Sequence, residues 1–155
     1  MNNRRRNALK AGGALGVLGV LAAAGLITPA MAQTAWNKAA FDAKSIEAAL
    51  RAIGAGQPAD SADILISAPE TAENGAAVSV GVLSHLPNTE YMAIMVENNP
   101  AMLAASFQIP AGTLADVQTR IKMGQTSNVF AVVKADGRFY MTKKEVKVTL
   151  GGCGG

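Results

Sequence analysis

The chain has 155 residues, with 14 basic and 11 acidic side chains, one histidine and one cysteine. That length suits one domain. A lone cysteine excludes an internal disulfide framework, and a lone histidine falls short of the ligand sets of zinc and blue-copper centres. The net charge of +3 is set by the N-terminus, because Arg4, Arg5, Arg6 and Lys10 precede the first acidic residue, Asp42.

Met1–Ala32 reads as an export signal. The four basic residues are followed by an uncharged run from Ala11 to Ile27 and then by Pro29-Ala30-Met31-Ala32, a small-x-small cleavage pattern that places the cut between Ala32 and Gln33. The run is rich in glycine and alanine, so its hydrophobicity is too modest for a membrane anchor, and no membrane association is expected after cleavage. Arg5-Arg6-Asn7-Ala8-Leu9-Lys10 resembles a twin-arginine signal, with Ala8 where an aromatic is usual. Such signals export folded proteins, often with a cofactor or a partner. Cleavage leaves ten of the 14 basic residues against all 11 acidic ones, so the mature chain offers no basic stripe for nucleic acid.

Gln33–Ala40 is a short leader with one tryptophan, Trp36, which is expected to pack on the body with Phe41. A helix follows from Asp42. Asp42 or Ser45 can cap it, Ile46, Ala49, Leu50 and Ile53 recur at helical spacing, and Gly54–Pro58 stops it. From Asp63 the period changes to two. Strands are predicted at Ile64–Ser67, Val78–Leu83, Tyr91–Val96, Leu103–Ile109, Ala115–Met123, Val129–Lys134, Arg138–Thr142 and Val146–Leu150. Ala135-Asp136-Gly137 marks a tight hairpin. Regularly spaced short strands make this an all-β fold, a β-sandwich of about seven or eight strands behind a short N-terminal helix. The alternation in Ala115–Met123 and Val146–Leu150 implies one buried and one solvated face. Met92, Met95 and Met102 read as packing residues, and Lys143, Lys144 and Lys147 as solvated strand-edge charges.

The chain ends in Gly151-Gly152-Cys153-Gly154-Gly155. Glycine roams backbone space freely, and five extended residues reach about 16–18 Å, so these residues read as a flexible arm bearing one thiol. In an oxidising compartment that thiol is an intermolecular link or a free reactive group. A Cys/His catalytic pair with His85 is disfavoured, because catalysis needs a tightly held nucleophile; His85 reads as a solvent-facing loop residue. A prenylation signal needs three residues after the cysteine, and only two follow. The glycines and the terminal carboxylate supply nothing that lowers the thiol's pKa. The arm has reach without activation, the mark of a group carrier worked on by other enzymes. No metal or cofactor is expected. The alternative is an exported structural sandwich that forms intermolecular disulfides through Cys153.

The twin-arginine-like leader, Ala68-Pro69-Glu70-x-x-Glu73-Asn74-Gly75, Asn99-Pro100 and above all the terminal Gly-Gly-Cys-Gly-Gly resemble the SoxY family, the sulfur-carrier subunits of periplasmic sulfur oxidation. The resemblance implies an immunoglobulin-like sandwich and a heterodimer with a SoxZ subunit exported alongside it. It implies covalent attachment of substrate at Cys153, with Gly151, Gly152, Gly154 and Gly155 as the swinging arm. SoxXA, a haem enzyme, would couple thiosulfate to the thiol, SoxB would hydrolyse off sulfate, and a sulfane dehydrogenase, where present, would oxidise the remaining sulfur.

Overall fold

The computed structural model describes residues 37–151; the leader through Trp36 and residues 152–155, including Cys153, lie outside the described residues. Two helices come first, α1 (Lys38–Phe41) and α2 (Ile46–Ala52). The nominal leader therefore ends in a helical turn. Asn37 caps it, its side chain accepting from the Ala40 N–H at 3.1 Å. Of the two candidate caps for the main helix, Ser45 takes the role, its Oγ accepting from Ala48 N at 3.1 Å. Asp42 instead closes α1 and pairs with Lys38 one turn back. The end of α2 is a Schellman motif: Gly54 has φ +79°, its N–H donates to the Arg51 carbonyl at 3.0 Å, and Ala55 N–H reaches the Leu50 carbonyl at 2.8 Å.

Nine strands follow among the described residues: β1 (Ala59–Asp60), β2 (Ile64–Ser67), β3 (Thr71–Ala72), β4 (Val78–Ser84), β5 (Thr89–Val96), β6 (Leu103–Gln108), β7 (Asp116–Ile121), β8 (Ser127–Ala135) and β9 (Arg138–Val148). The count of seven or eight needs correcting in two places. Arg138–Thr142 and Val146–Leu150 are not separate strands; Lys143–Glu145 carries the ladder between them against β8, with Phe130↔Lys143 and Asn128↔Glu145 in register. The two-residue strands β1 and β3 were invisible in the sequence, since two residues show no period.

The sheets are a small antiparallel one, β2-β4-β7, and a larger one ordered β1-β9-β8-β5-β6, with β3 also on β9. Between them lies a core that includes Ile64, Val78, Val80, Val82, Met92, Ile94, Val129, Ala131 and Val133. This is the immunoglobulin-like sandwich that the resemblance implied. The alternation along β7 matches its burial: Ile121 and, just beyond the strand, Met123 are buried, while Asp116, Gln118 and Arg120 are exposed.

The larger sheet is covered on its other face too. Ala93, Met95, Phe130 and Val132 pack against Ala40, Ala49 and Leu50 of the two helices, with Phe41 beside them. That explains why β5 and β8 read as nearly continuous apolar runs, as strands buried on both faces do. Met92 and Met95 are fully buried and Met102 half-buried, so all three are packing residues.

Turn chemistry fixes one end of the molecule. Asp136 (φ +48°) and Gly137 (φ +73°) form the two central positions of the β8–β9 hairpin, the left-handed pair that a two-residue loop requires. Asn88, also at positive φ, donates from Nδ2 to Asp136 Oδ1 at 2.8 Å and ties the β4–β5 turn to that hairpin. His85 is exposed in the adjoining loop, its backbone N–H donating to the Asp63 carbonyl at 2.8 Å.

Because Ile94 sits fully buried in the central strand of the core, Ile94→Ala is expected to destabilise the fold by about 2–5 kcal/mol. Urea denaturation should show this as a lowered midpoint with an unchanged slope.

Candidate functional site

Cys153 follows β9 in the chain, so the site is built from what holds the end of that strand. On one side runs the segment Glu70–Gly75. Its strand β3 pairs in parallel with β9, Thr71 opposite Lys147 and Ala72 opposite Val148. Lys147 N–H donates to the Glu70 carbonyl at 2.9 Å, Thr149 N–H to Ala72 at 3.1 Å, and Thr149 Oγ1 to the Glu73 carbonyl at 2.9 Å. Gly75 N–H then bonds the Leu150 carbonyl at 2.7 Å. The segment keeps its own shape through an Asx turn, with Asn74 Oδ1 accepting from Ala76 N at 2.8 Å.

On the other side lies the β7–β8 connection. Thr126 Oγ1 accepts from Val148 N at 3.0 Å. Gly151, half-buried, lies so close to Gly124 that a Cβ built on it would fall inside the contact radius of the Gly124 carbonyl oxygen. The first glycine of the terminal motif thus has a steric reason beyond conformational freedom: only a residue without a side chain permits this backbone approach.

The Asn98-Asn99 loop supports that connection from behind. Asn99 uses both ends of its amide, Nδ2 donating to the Lys122 carbonyl at 2.7 Å and Oδ1 accepting from Gly124 N at 3.1 Å. Asn98 Nδ2 donates to the Thr126 carbonyl at 3.0 Å, and its N–H to Ser127 Oγ, buried at 3% exposure, at 3.0 Å. Met123 N–H bonds the Gly75 carbonyl at 2.8 Å, linking the two flanks directly. Two internal segments that carried the resemblance in sequence, Ala68–Gly75 and Asn99-Pro100, thereby meet at the root of the third.

The lysines behave differently from one another. Lys143 and Lys147 are exposed, as expected. Lys144 is half-buried and donates from Nζ to the Ala68 carbonyl at 2.6 Å, so it pins the start of the Ala68–Gly75 segment and is not simply a solvated charge. A sequence signal existed, since Lys144 falls two residues before the buried Val146, on the same face of the strand.

The described residues contain no cluster of three or more metal-ligating groups. Of two surface grooves, one lies on the small sheet, lined by Ser67, Gly81 and Arg120 together with Ala68 and Pro69 at the start of the Ala68–Gly75 segment; the other lies at the far end between Ser84 and Gly137. His85 lies at that far end, and nothing in the described residues brings it to the root. Cys153, Gly152, Gly154 and Gly155 fall outside the described residues, as do Ala32 and Gln33.

A family model described as "Sulfur oxidation protein SoxY" matches residues 49–153, from α2 through the cysteine. The chain belongs to the SoxY family. Among solved structures, the sulfur carrier protein SoxY from Chlorobium limicola f thiosulfatophilum is 36% identical, with a TM-score of 0.58, covering 64% of this chain and 93% of that one. A single-substitution form of a superoxide reductase (neelaredoxin) from Ignicoccus hospitalis is 18% identical at a TM-score of 0.50, covering 62% of this chain and 85% of that one, a likeness of fold alone. No curated protein matches the chain.

The Gly124–Gly151 approach makes a direct prediction. Gly151→Ala should push the end of β9 off Gly124 and weaken the Gly75–Leu150 hydrogen bond, so the Gly75 amide should exchange with deuterium at least roughly ten-fold faster, as local opening becomes easier. Ile94 in the core should keep its protection.

Proposed function

We propose that the protein is a covalent sulfur carrier, with Cys153 as the attachment point and the residues from Gly151 to Gly155 as the arm that presents it. The observation that carries this reading is the family match, which runs from the helix to the cysteine itself. The similar Chlorobium protein is described as a sulfur carrier. The anchored root adds physical support: backbone hydrogen bonds from the Glu70–Gly75 segment on one flank and the Thr126 hydroxyl on the other hold the base of the tail, while the tail brings a thiol with no activating neighbour in sequence.

In this reading the chemistry belongs to enzymes that visit the arm. A SoxXA-type haem enzyme couples thiosulfate to the thiol. The thiol and thiosulfate form an S–S bond, losing one proton and passing two electrons to the haem enzyme as oxidant. A SoxB-type hydrolase then cleaves the bond between the sulfonate sulfur and the outer sulfane sulfur with water, releasing sulfate and leaving a persulfide on Cys153. A sulfane dehydrogenase, where the organism has one, oxidises that persulfide sulfur further. The carrier itself needs no cofactor.

The same reading places the protein in the periplasm as a heterodimer with a SoxZ-like subunit, exported folded by the twin-arginine route and cut between Ala32 and Gln33. The domain boundaries follow: signal at 1–32, carrier domain at 33–150, arm at 151–155. No helix among the described residues is long and apolar enough to cross a membrane.

Intact-mass spectrometry after incubation with thiosulfate and the haem enzyme tests the carrier role. The wild-type complex should gain the mass of one thiosulfate-derived group, and Cys153→Ser none; an adduct that persists on the serine variant would end the proposal. Gly154→Trp should unfold at the wild-type temperature yet lose most turnover, because the bulky side chain no longer passes into a narrow enzyme channel. Turnover equal to wild type would refute the channel.

A further inference from the structure

Asn74-Gly75 is the single place in the chain where glycine follows asparagine. That pair carries a chemistry of its own. With no side chain in the way, the glycine nitrogen can attack Cγ of the asparagine and close a five-membered succinimide. The amide proton of the glycine leaves with the side-chain nitrogen as ammonia. Water then opens the ring to aspartate or to isoaspartate. No electrons are exchanged, because one amide and one water become one carboxylic acid and ammonia. Asparagine is thermolabile for this reason.

The fold leaves this pair half prepared and half blocked. Asn74 Oδ1 already accepts from the Ala76 N–H at 2.8 Å, which sets a donor on the oxygen that gains charge when Cγ is attacked. The nucleophile is the blocked half. Gly75 is buried, and its N–H donates to the Leu150 carbonyl at 2.7 Å. The nitrogen must give that proton to a base before it attacks, and the carbonyl occupies it. Ring closure also turns the Asn74–Gly75 peptide toward the side chain, which the bond from Met123 N–H to the Gly75 carbonyl at 2.8 Å resists. What keeps Leu150 in place is the end of β9, seated by the Gly151–Gly124 approach and by Thr149 Oγ1 on the Glu73 carbonyl.

We infer that Asn74 is a deamidation site gated by the root: it stays an amide while Gly75 is bonded to Leu150, and it cyclises when the end of β9 opens. The change is one-way. Isoaspartate routes the main chain through the side-chain carbon and adds one methylene between Glu73 and Gly75. Gly75 then no longer stands where it can bond Leu150 and Met123 together, so a root that opens long enough to react stays open. Nothing in this depends on the carrier reading. The other pair of this kind, Asp136-Gly137, lies at the far end, where Gly137 N–H donates to Glu90 Oε1 at 3.3 Å, and its chemistry is independent of β9's end.

The test incubates the full chain in warm, mildly alkaline buffer and follows position 74 by peptide mapping, with electron-based fragmentation to separate asparagine, aspartate and isoaspartate. Folded wild type should convert at least roughly ten-fold more slowly than the same chain unfolded in guanidinium, since only the open fraction reacts. Gly151→Ala should convert faster by the same factor by which its Gly75 amide exchanges faster, roughly ten-fold. Thr149→Val removes the hydroxyl that holds Glu73 without adding bulk, so it provides the same comparison should Gly151→Ala not fold. Isomerisation of Asp136 should keep its wild-type rate in both variants. Folded wild type converting as fast as the unfolded chain overturns the gate. So does conversion that fails to follow Gly75 exchange across the variants. An unfolded chain that does not convert overturns the site itself, and a protein bearing isoaspartate at position 74 that still protects the Gly75 amide overturns the one-way opening.

Discussion

The close backbone approach of Gly151 to Gly124 is the constraint on which the functional end of the molecule depends. It requires a residue without a side chain at position 151, and it requires the β7–β8 connection to present its carbonyl at one place. Asn99 supplies that second condition by holding Lys122 and Gly124 with both ends of one amide. A side-chain amide that donates to one backbone group and accepts from another is a local substitute for a sheet ladder, and it fixes a loop that has no ladder of its own.

The opposite flank is held by a different device. Strand β3 is only two residues long, yet it adds a parallel pairing to β9 just past the point where the main ladder ends. Backbone hydrogen bonds then continue past the strand through Thr149 and Leu150. Beyond β9's last ladder pair with β8, the chain would otherwise fray, as termini do unless tied down. Gripped from both sides, it reaches Gly151 along a defined path. In the carrier reading this sets where the base of the arm stands on the body.

Rigidity behind the root comes from the larger sheet being buried on both faces. One face packs on the small sheet, and the other lies under the two helices. β8 pairs with β9 along its whole length, from the tight hairpin at Asp136-Gly137 to Ser127 opposite Val146, two residues before β9 ends. The fold thus separates two tasks. The sandwich holds position, and in the carrier reading the terminal residues meet the reaction.

Much of this was legible in the sequence. Period-two alternation located β2, β4 and β7 closely, the Asp-Gly pair located the hairpin, and Ser45 was among the two candidate caps, because these signals are local and arise within a few residues. The terminal glycines around the single cysteine read as a flexible arm, and all of them but Gly151 lie outside the described residues. Long-range pairing was not legible. Two-residue strands have no period, so β1 and β3 leave no signal in the sequence. The charged stretch Lys143–Glu145 read as a break between two strands, although pairing with β8 carries the ladder through it. Lys144 read as solvated, although the fold turns it onto the Ala68 carbonyl. By itself the sequence determined that one thiol ends a glycine tail and that the chain folds as an all-β sandwich, since composition and local pattern suffice for both. Only the tertiary structure decided that Gly151 belongs with the body as much as with the arm, because that depends on a backbone contact with Gly124, which no local pattern encodes.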